Sequence, residues 1–152
     1  MIRRCAVCAR ENRVPVRHLA HTGHCGACKQ TLGPLAEPVE VDEREFEDIV
    51  MNASVPVLVD FWAAWCGPCR AVAPEVKQAA ALLAGKAIVL KVDVERHPDL
   101  SARFAVRGIP SFAVFVGGRR AAQQAGAMSH ERLLALVAVA RATGSGRAST
   151  QA

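Results

Sequence analysis

The stretch Trp65-Cys66-Gly67-Pro68-Cys69 is the most informative part of this chain, because it places two thiols where a helix should begin. The apolar segment 57–62 before it is typical of a strand buried on both faces. Residues 71–84 after it are rich in the helix-favouring residues Ala, Leu, Glu, Lys and Gln. A helix N-terminus carries unpaired N–H groups and a partial positive charge, both of which stabilise a thiolate. The pattern therefore predicts a cysteine that is nucleophilic at neutral pH.

A metal site is the alternative interpretation of this cysteine pair. Such a site needs about four ligands, and no further Cys or His lies close to Cys66 and Cys69 in the sequence. Pro68 suits the first turn of a helix, where its missing N–H costs nothing. We therefore favour a redox pair. Cys66, nearest the helix start, is expected to be the exposed attacking thiol of low pKa, and Cys69, one turn further on, the shielded resolving thiol.

From residue 39 onward the chain predicts alternating strands and helices. Expected strands are 39–41, 55–61, 87–92, 111–116 and 119–125, and expected helices are 42–52, 68–84, 98–104 and one that begins after Ser129. Gly117-Gly118 predicts a tight hairpin between the last two strands. Parallel crossovers followed by a hairpin predict an α/β fold, with a mixed central sheet and helices on both of its faces.

Residues 57–69 closely resemble the active site of thioredoxins, and the likeness covers roughly residues 39–141. The other residues that support the likeness occur in the same order as in the family: Pro74 within a helix, Lys91-Val92-Asp93 at a strand end, Gly108-Ile109-Pro110, and Gly126. The resemblance implies a thioredoxin fold and a general protein-disulfide reductase that acts as an electron carrier. It also implies recharging by thioredoxin reductase with NADPH, and no tightly bound organic cofactor.

Asp60 is a carboxylate in the middle of the predicted buried strand. Burial disfavours the charged form of an acid, so such a residue needs a partner or a function. One interpretation is a structural acid bridged by water or by Lys91 on the adjacent strand. The other, which the resemblance to thioredoxins implies, is that Asp60 accepts the proton of Cys69.

The resemblance also predicts the surface on which a protein substrate would bind. It implies a cis Ile109–Pro110 bond, with the backbone of Ile109 pairing to an extended substrate; a simple turn proline is the alternative. Gly67 and Pro68 belong to the catalytic motif. Expected substrate contacts are Trp65, Ile109, Gly126 and Ala127, whereas Trp62 is expected to pack inside.

A second group of thiols precedes the thioredoxin-like region. Cys5-x-x-Cys8 and Cys25-x-x-Cys28 are separated by 16 residues, a spacing typical of a four-cysteine zinc site. Two local disulfides, rubredoxin-like iron, or a ligand among His18, His21 and His24 are the alternatives. Zinc would be structural and would supply the folding energy that so small a segment lacks. Together with the thioredoxin-like part, the pairs resemble the zinc-binding bacterial subtype of the family, thioredoxin 2.

The positive charge of the chain lies at its N-terminal end. The 152 residues carry a net charge of +5, and residues 1–34 hold six Lys or Arg and one acid. That excess could steer an acidic partner or nucleic acid, although a solvated surface is the simpler interpretation. Because no aromatic residues are interleaved for base stacking, nucleic-acid binding is not expected.

We expect four segments in the chain: a zinc-ribbon-like domain at 1–34, a linker at 35–38, a thioredoxin domain at 39–142 and a disordered tail at 143–152.

No apolar run approaches the ~20 residues of a membrane span, and the N-terminus does not resemble a signal peptide. These features predict a cytoplasmic location without membrane partners. The resemblance to thioredoxins implies oxidised cytosolic proteins and reductive enzymes as substrates, and we expect a monomer. A disulfide oxidase or isomerase is the competing activity, which Gly67-Pro68 disfavours.

Overall fold

The N-terminal segment folds into two small antiparallel hairpins joined by a single turn of 3₁₀ helix at Val16–His18. The first hairpin pairs β1 (Ile2–Arg4) with β2 (Glu11–Arg13), and the second pairs β3 (Gly23–His24) with β4 (Thr31–Leu32). Each Cys-x-x-Cys pair lies in the turn of one hairpin. The computed structural model describes residues 1–148 of the chain.

The remainder of the chain is built on one five-stranded mixed sheet. Its strands are β5 (Val39–Glu40), β6 (Val57–Trp62), β7 (Ile88–Asp93), β8 (Ser111–Val116) and β9 (Arg119–Ala125). They lie in the order β5-β7-β6-β8-β9, with the first three parallel and the last two antiparallel to their neighbours. Gly117 and Gly118 both have positive φ, at 59° and 82°, as the predicted tight hairpin requires.

Within residues 1–148, four helices cover the sheet, two on each face. They are α1 (Glu43–Asn52), α2 (Gly67–Leu82), α3 (Pro98–Arg103) and α4 (His130–Ala148). One core layer joins α1 and α3 to alternate strand residues, and the other joins α2 and α4 to the remaining ones. The predicted mixed sheet with helices on both faces is confirmed.

Local sequence signals explain where α1 begins. Asp42 is the N-cap: its Oδ1 accepts the Glu45 N–H at 2.8 Å, while Glu45 Oε2 accepts the Asp42 N–H at 3.1 Å. Phe46, Ile49 and Val50 then recur at helical spacing and are buried against the sheet. The helix thus begins and ends at the residues that the sequence predicts.

The last helix runs further than its sequence suggests. The composition predicts a disordered tail from Thr143 onward, but α4 continues through Ala148, so that expectation is wrong for residues 143–148; residues 149–152 lie outside the described part of the chain. Thr143 Oγ1 donates to the Val139 carbonyl at 2.6 Å. At Gly144 the helix backbone approaches β8 so closely that a Cβ would lie 2.9 Å from Val116. Close packing against the sheet at Gly144 therefore offsets the weak helix preference of glycine.

The N-terminal hairpins pack on the α1 side of the sheet. Leu19 is fully buried within the core layer that contains Phe46 of α1, and its carbonyl accepts the Leu35 N–H at 2.8 Å. Ser54 Oγ, just after α1, donates to the Arg17 carbonyl at 3.3 Å. The predicted linker therefore holds the hairpins against the larger unit through Leu35, while the domain limits themselves stay a prediction.

Candidate redox site and metal centre

The two cysteines of the central motif form a disulfide at the N-terminus of α2. Cys66 is the N-cap residue, and the Cys69 N–H donates to its Sγ at 3.2 Å. The Cα atoms lie 5.3 Å apart, within the usual range for a disulfide. Because the helix dipole and this N–H both point at Cys66 Sγ, the site stabilises negative charge on that sulfur.

The exposure predicted for Cys66 is wrong for this oxidised form. Cys66 is 3% exposed and Cys69 4% exposed, so both residues are buried. The reason is packing: Cys66 lies in a small apolar cluster with Ala63, flanked by Trp62 and Ile109. The position of Cys66 in the sequence places it nearer the start of the helix. It does not show whether neighbouring loops cover the side chain.

A second loop approaches the disulfide from the start of β8. The Ile109 carbonyl oxygen lies 3.7 Å from Cys66 Sγ, and the Ile109–Pro110 bond is cis, as the resemblance predicts. The Gly126 N–H donates to the Pro110 carbonyl at 2.8 Å. This hydrogen bond brings the segment after β9 beside the loop, so Ile109 and Gly126 lie at the same end of the sheet as the disulfide.

The residues around the disulfide form an accessible rim. Trp65 is 63% exposed, and its indole N–H donates to Glu95 Oε1 at 2.5 Å. Ile109 is half-buried. The other predicted rim residues are all exposed: Gly67, Pro68, Gly126 and Ala127. Sequence reasoning missed Glu95, because a contact 30 residues away leaves no local signal.

Asp60 is buried in the middle of β6 and faces the helix that carries Cys69. It lies on the same strand face as Leu58, which packs against α2, and is 2% exposed. Among the described residues, its Oδ1 has no hydrogen-bond partner. Burial raises the pKa of Asp60 from 3.8 to about 7, which Lys91 opposes and Glu40 reinforces. A carboxyl with this pKa exchanges its proton near neutral pH.

A row of ionisable side chains crosses three strands at Asp60. Lys91 of β7 is opposite Asp60 on one side and opposite Glu40 of β5 on the other. Lys91 Nζ lies 4.1 Å from the centroid of the Trp62 ring, and the Trp62 indole N–H is 3.1 Å from both carboxylate oxygens of Glu40. Trp62 is therefore half-buried between two charged groups. Sequence reasoning found Asp60 and Lys91 but missed Glu40.

The four N-terminal cysteines converge on one point. They are free thiols, and their Sγ atoms all lie within 4.8 Å of one another. Two of the separations join the two hairpins: Cys5 Sγ to Cys28 Sγ at 3.7 Å and Cys8 Sγ to Cys25 Sγ at 3.6 Å. Tetrahedral zinc, with Zn–S bonds of about 2.3 Å, holds its sulfurs about 3.8 Å apart. The geometry fits a metal ion with four sulfur ligands, and the local disulfides considered as an alternative are not formed.

Backbone amides favour the thiolate form of two of these cysteines, Cys5 and Cys25. The Cys8 and Val7 N–H groups lower the pKa of Cys5, and the Cys28 and Ala27 N–H groups lower the pKa of Cys25 to about 6. The thiolate is the form that binds metals. In both hairpins the residue directly after the Cys-x-x-Cys pair takes positive φ, at 60° for Ala9 and 65° for Lys29. The two turns are thus matched in conformation and present their sulfurs in the same way.

Asn12 connects the two hairpins beside the cluster. Its Oδ1 accepts the Gly26 N–H at 2.9 Å, and its Nδ2 lies 3.6 Å from Cys25 Sγ. Such contacts around a metal site orient its ligands. The sequence contains no spacing signal for Asn12, because it acts through a contact between two separate turns.

Comparison with known proteins identifies the family. The Thioredoxin family profile matches residues 37–139, and the chain belongs to the thioredoxin family. Thioredoxin C-3 of Corynebacterium nephridii is 42% identical over 128 residues, covering 84% of this chain and 87% of that protein. Thioredoxin 1 of Chlorobaculum tepidum is 47% identical over 90 residues, covering 59% of this chain and 89% of that protein.

Solved structures agree with this assignment. A point-mutant thioredoxin from Halobacterium salinarum superposes with a TM-score of 0.62 at 32% identity, over 67% of this chain and 88% of its own. Thioredoxin f from spinach chloroplast superposes with a TM-score of 0.65 at 28% identity, over 70% and 88%. The chain has the thioredoxin fold and is a thiol–disulfide oxidoreductase, and its Cys66–Cys69 disulfide fits a Cys-x-x-Cys active site. No helix within residues 1–148 is both long and apolar enough to cross a membrane.

Proposed function

We propose that this protein is a general protein-disulfide reductase that carries a metal-binding N-terminal unit. The observation behind this proposal is the redox pair itself: Cys66 caps α2, receives the Cys69 N–H and lies against the Ile109 carbonyl. In this position a dithiol can exchange with the disulfide of a protein that binds across the rim.

The proposed reaction has two exchange steps. Cys66, as thiolate, attacks one sulfur of the substrate disulfide; a Cys66–substrate disulfide forms and the other substrate sulfur leaves as a thiolate. Cys69 then attacks Cys66 Sγ, so the Cys66–Cys69 bond forms and the second substrate sulfur leaves. Two electrons pass to the substrate. The disulfide form in the structure corresponds to the product of this half-reaction.

We assign Asp60 the role of proton acceptor in the second step. Cys69 must lose its proton before it attacks, and Asp60 faces the helix that carries Cys69. A carboxyl with a pKa of about 7 can take that proton at neutral pH and release it again. The unpartnered Oδ1 supports this role over that of a structural acid held by Lys91.

The substrate is proposed to bind on the rim around the disulfide. Trp65 offers a large exposed ring, and the backbone of Ile109 is available beside Cys66. An extended segment of a substrate protein could pair with that backbone. Gly67, Gly126 and Ala127 are small and exposed, so they allow close approach of another chain.

We propose zinc as the metal held by Cys5, Cys8, Cys25 and Cys28, and the zinc-binding thioredoxin 2 subtype as the class of this chain. Four sulfurs at tetrahedral spacing suit zinc. Zinc would hold the two hairpins together and would contribute to folding rather than to electron transfer. The 128-residue match to thioredoxin C-3 is too long to fit within residues 37–152, so it includes part of the N-terminal segment.

Thioredoxin reductase is the proposed electron donor, and the cytosol is the proposed location. Four cysteines that form no disulfide with one another are expected in a compartment where thiols are kept reduced. Oxidised cytosolic proteins and reductive enzymes would then be the substrates. The domain limits 1–34, 35–38 and 39–142 belong to this same proposal.

Reduction of insulin disulfides tests the main proposal. Wild-type protein with a thioredoxin reductase and NADPH should precipitate the insulin B chain and consume NADPH, and Cys66→Ser should abolish both signals. Ala102→Ser, which introduces a serine at an exposed position of α3 outside both cysteine sites, is the control and should retain the reaction. Full activity in Cys66→Ser, or absence of activity in the wild type, would exclude the reductase.

Metal analysis tests the second part of the proposal. Purified protein should contain one zinc per chain, released by a thiol-reactive mercurial and detected with a chromogenic chelator. The Cys25→Ser variant should contain less, because the thiol that the amides of Cys28 and Ala27 stabilise is lost. Iron in place of zinc, or no metal at all, would contradict the assignment.

A further inference from the structure

Lys91 is opposite Asp60 in the sheet, yet its ammonium group is engaged elsewhere. Among the residues that the structure describes, Lys91 forms no ion pair with Asp60 or with Glu40. Its Nζ lies instead 4.1 Å from the centroid of the Trp62 ring, a cation–π contact. A free ammonium beside Asp60 would favour the carboxylate form and weaken Asp60 as a base.

Glu40 accepts a hydrogen bond from Trp62, the residue whose ring lies beneath the Lys91 ammonium group. Both of its carboxylate oxygens lie 3.1 Å from the Trp62 indole nitrogen, which donates its one hydrogen between them. Glu40 is also opposite Lys91 across the β5–β7 pair, so its negative charge attracts the ammonium away from Asp60. Lys91 thus lies between two carboxylates, only one of which also fixes the tryptophan.

We propose that Glu40 is a positioning residue for Asp60: it fixes Trp62 and attracts Lys91, so that Lys91 does not neutralise the proton acceptor. This inference rests on the proposed role of Asp60. The loss of the Glu40 charge should leave Lys91 free to stabilise the Asp60 carboxylate, and the proton would then be held less tightly.

The other ionisable groups around this row lie on neighbouring elements. From β8 the residue opposite Asp60 is Phe112, which is uncharged. From α2 come Cys69, which does not titrate in the disulfide form, and Lys77, which lines a groove with Lys91 and Glu37. Asp93 and Arg96 act on the pKa of Glu40 with opposite signs. Glu40 is therefore the carboxylate whose replacement tests how these charged groups act on Asp60.

Carbon-13 NMR of the Asp60 carboxyl tests the inference without any turnover. In the oxidised protein only the disulfide is present at the active site, so the Asp60 titration is not coupled to that of Cys69. Glu40→Gln removes the charge but keeps an oxygen that can accept the Trp62 N–H. Because the Lys91 ammonium can then approach Asp60, we expect the titration midpoint of Asp60 to fall by about half a pH unit.

Two further variants show whether the effect passes through Lys91. Glu43→Gln, an exposed carboxylate in the first turn of α1, is the matched control and should leave the Asp60 midpoint unchanged. In a Lys91→Gln background the Glu40→Gln effect should shrink to less than half. An Asp60 midpoint that does not move in Glu40→Gln, or moves equally in both backgrounds, overturns the inference and leaves the proposed reductase intact.

The pH profile of insulin reduction provides the functional measurement. In Glu40→Gln its acid limb should move to lower pH by the same amount as the NMR midpoint. A midpoint that moves while the profile stays fixed would overturn the positioning role, since Asp60 would then not be the proton acceptor. Activity that is absent from the wild type would instead be a failure of the proposed function, because the NMR titration does not depend on it.

Discussion

Replacing Asp60 by Asn should stabilise the oxidised protein at alkaline pH. Burial raises the pKa of Asp60 from 3.8 to about 7. A raised carboxyl pKa means that the folded state holds its proton more tightly, so stability is full below the unfolded pKa and falls as the pH rises to the folded pKa. Each pH unit between the two corresponds to about 1.4 kcal/mol, so the carboxylate costs about 4 kcal/mol of unfolding free energy above pH 7.

Urea unfolding of the oxidised wild type and of Asp60→Asn at several pH values measures this cost. The advantage of the variant should grow by about 3 kcal/mol between about pH 5 and pH 9. Any fixed cost of burying the amide cancels in that difference. The control is Asp99→Asn, which replaces an exposed acid in the first turn of α3. Its unfolding free energy should depend on pH in the same way as that of the wild type. Parallel stability curves for Asp60→Asn and wild type would refute the reasoning.

Three further predictions follow from local geometry. Asp42→Ala removes the N-cap of α1 and should lower the unfolding free energy by about 1 kcal/mol in urea titrations; an unchanged midpoint would contradict the capping role. Gly144→Ala places a Cβ 2.9 Å from Val116 and should lower the melting temperature even though Ala favours helix. A higher melting temperature would show that Val116 moves to accommodate the added methyl group. Cys69→Ser should accumulate a disulfide between Cys66 and its substrate, visible on a non-reducing gel, whereas Cys66→Ser should not.

The sequence predicted well those features that depend on neighbouring residues. The capping box at Asp42 and the tight turn at Gly117-Gly118 are both encoded within a few positions, and both are present. The order of strands and helices followed from hydrophobic periodicity. The cis bond before Pro110 came from family resemblance rather than from any local signal.

Contacts between distant segments were not predicted. Glu40 meets Trp62 because β5 and β6 both pair with β7, a register that periodicity does not reveal. Glu95 reaches Trp65 for a similar reason. Burial of Cys66 depends on the loop at Ile109, which lies 43 residues further along the sequence. The close approach of Gly144 to Val116 of β8 likewise joins segments that are distant in the sequence.

The position of Leu19 has a consequence for cooperativity. This side chain lies in the segment that joins the two cysteine-bearing hairpins, yet it completes the core layer beneath α1. If the hairpins separate when the metal is removed, that layer loses a fully buried leucine, a loss that costs roughly 2–5 kcal/mol when made by mutation to alanine. Calorimetry of the metal-loaded chain should then give a single heat-absorption peak, since the hairpins and the sheet would melt together.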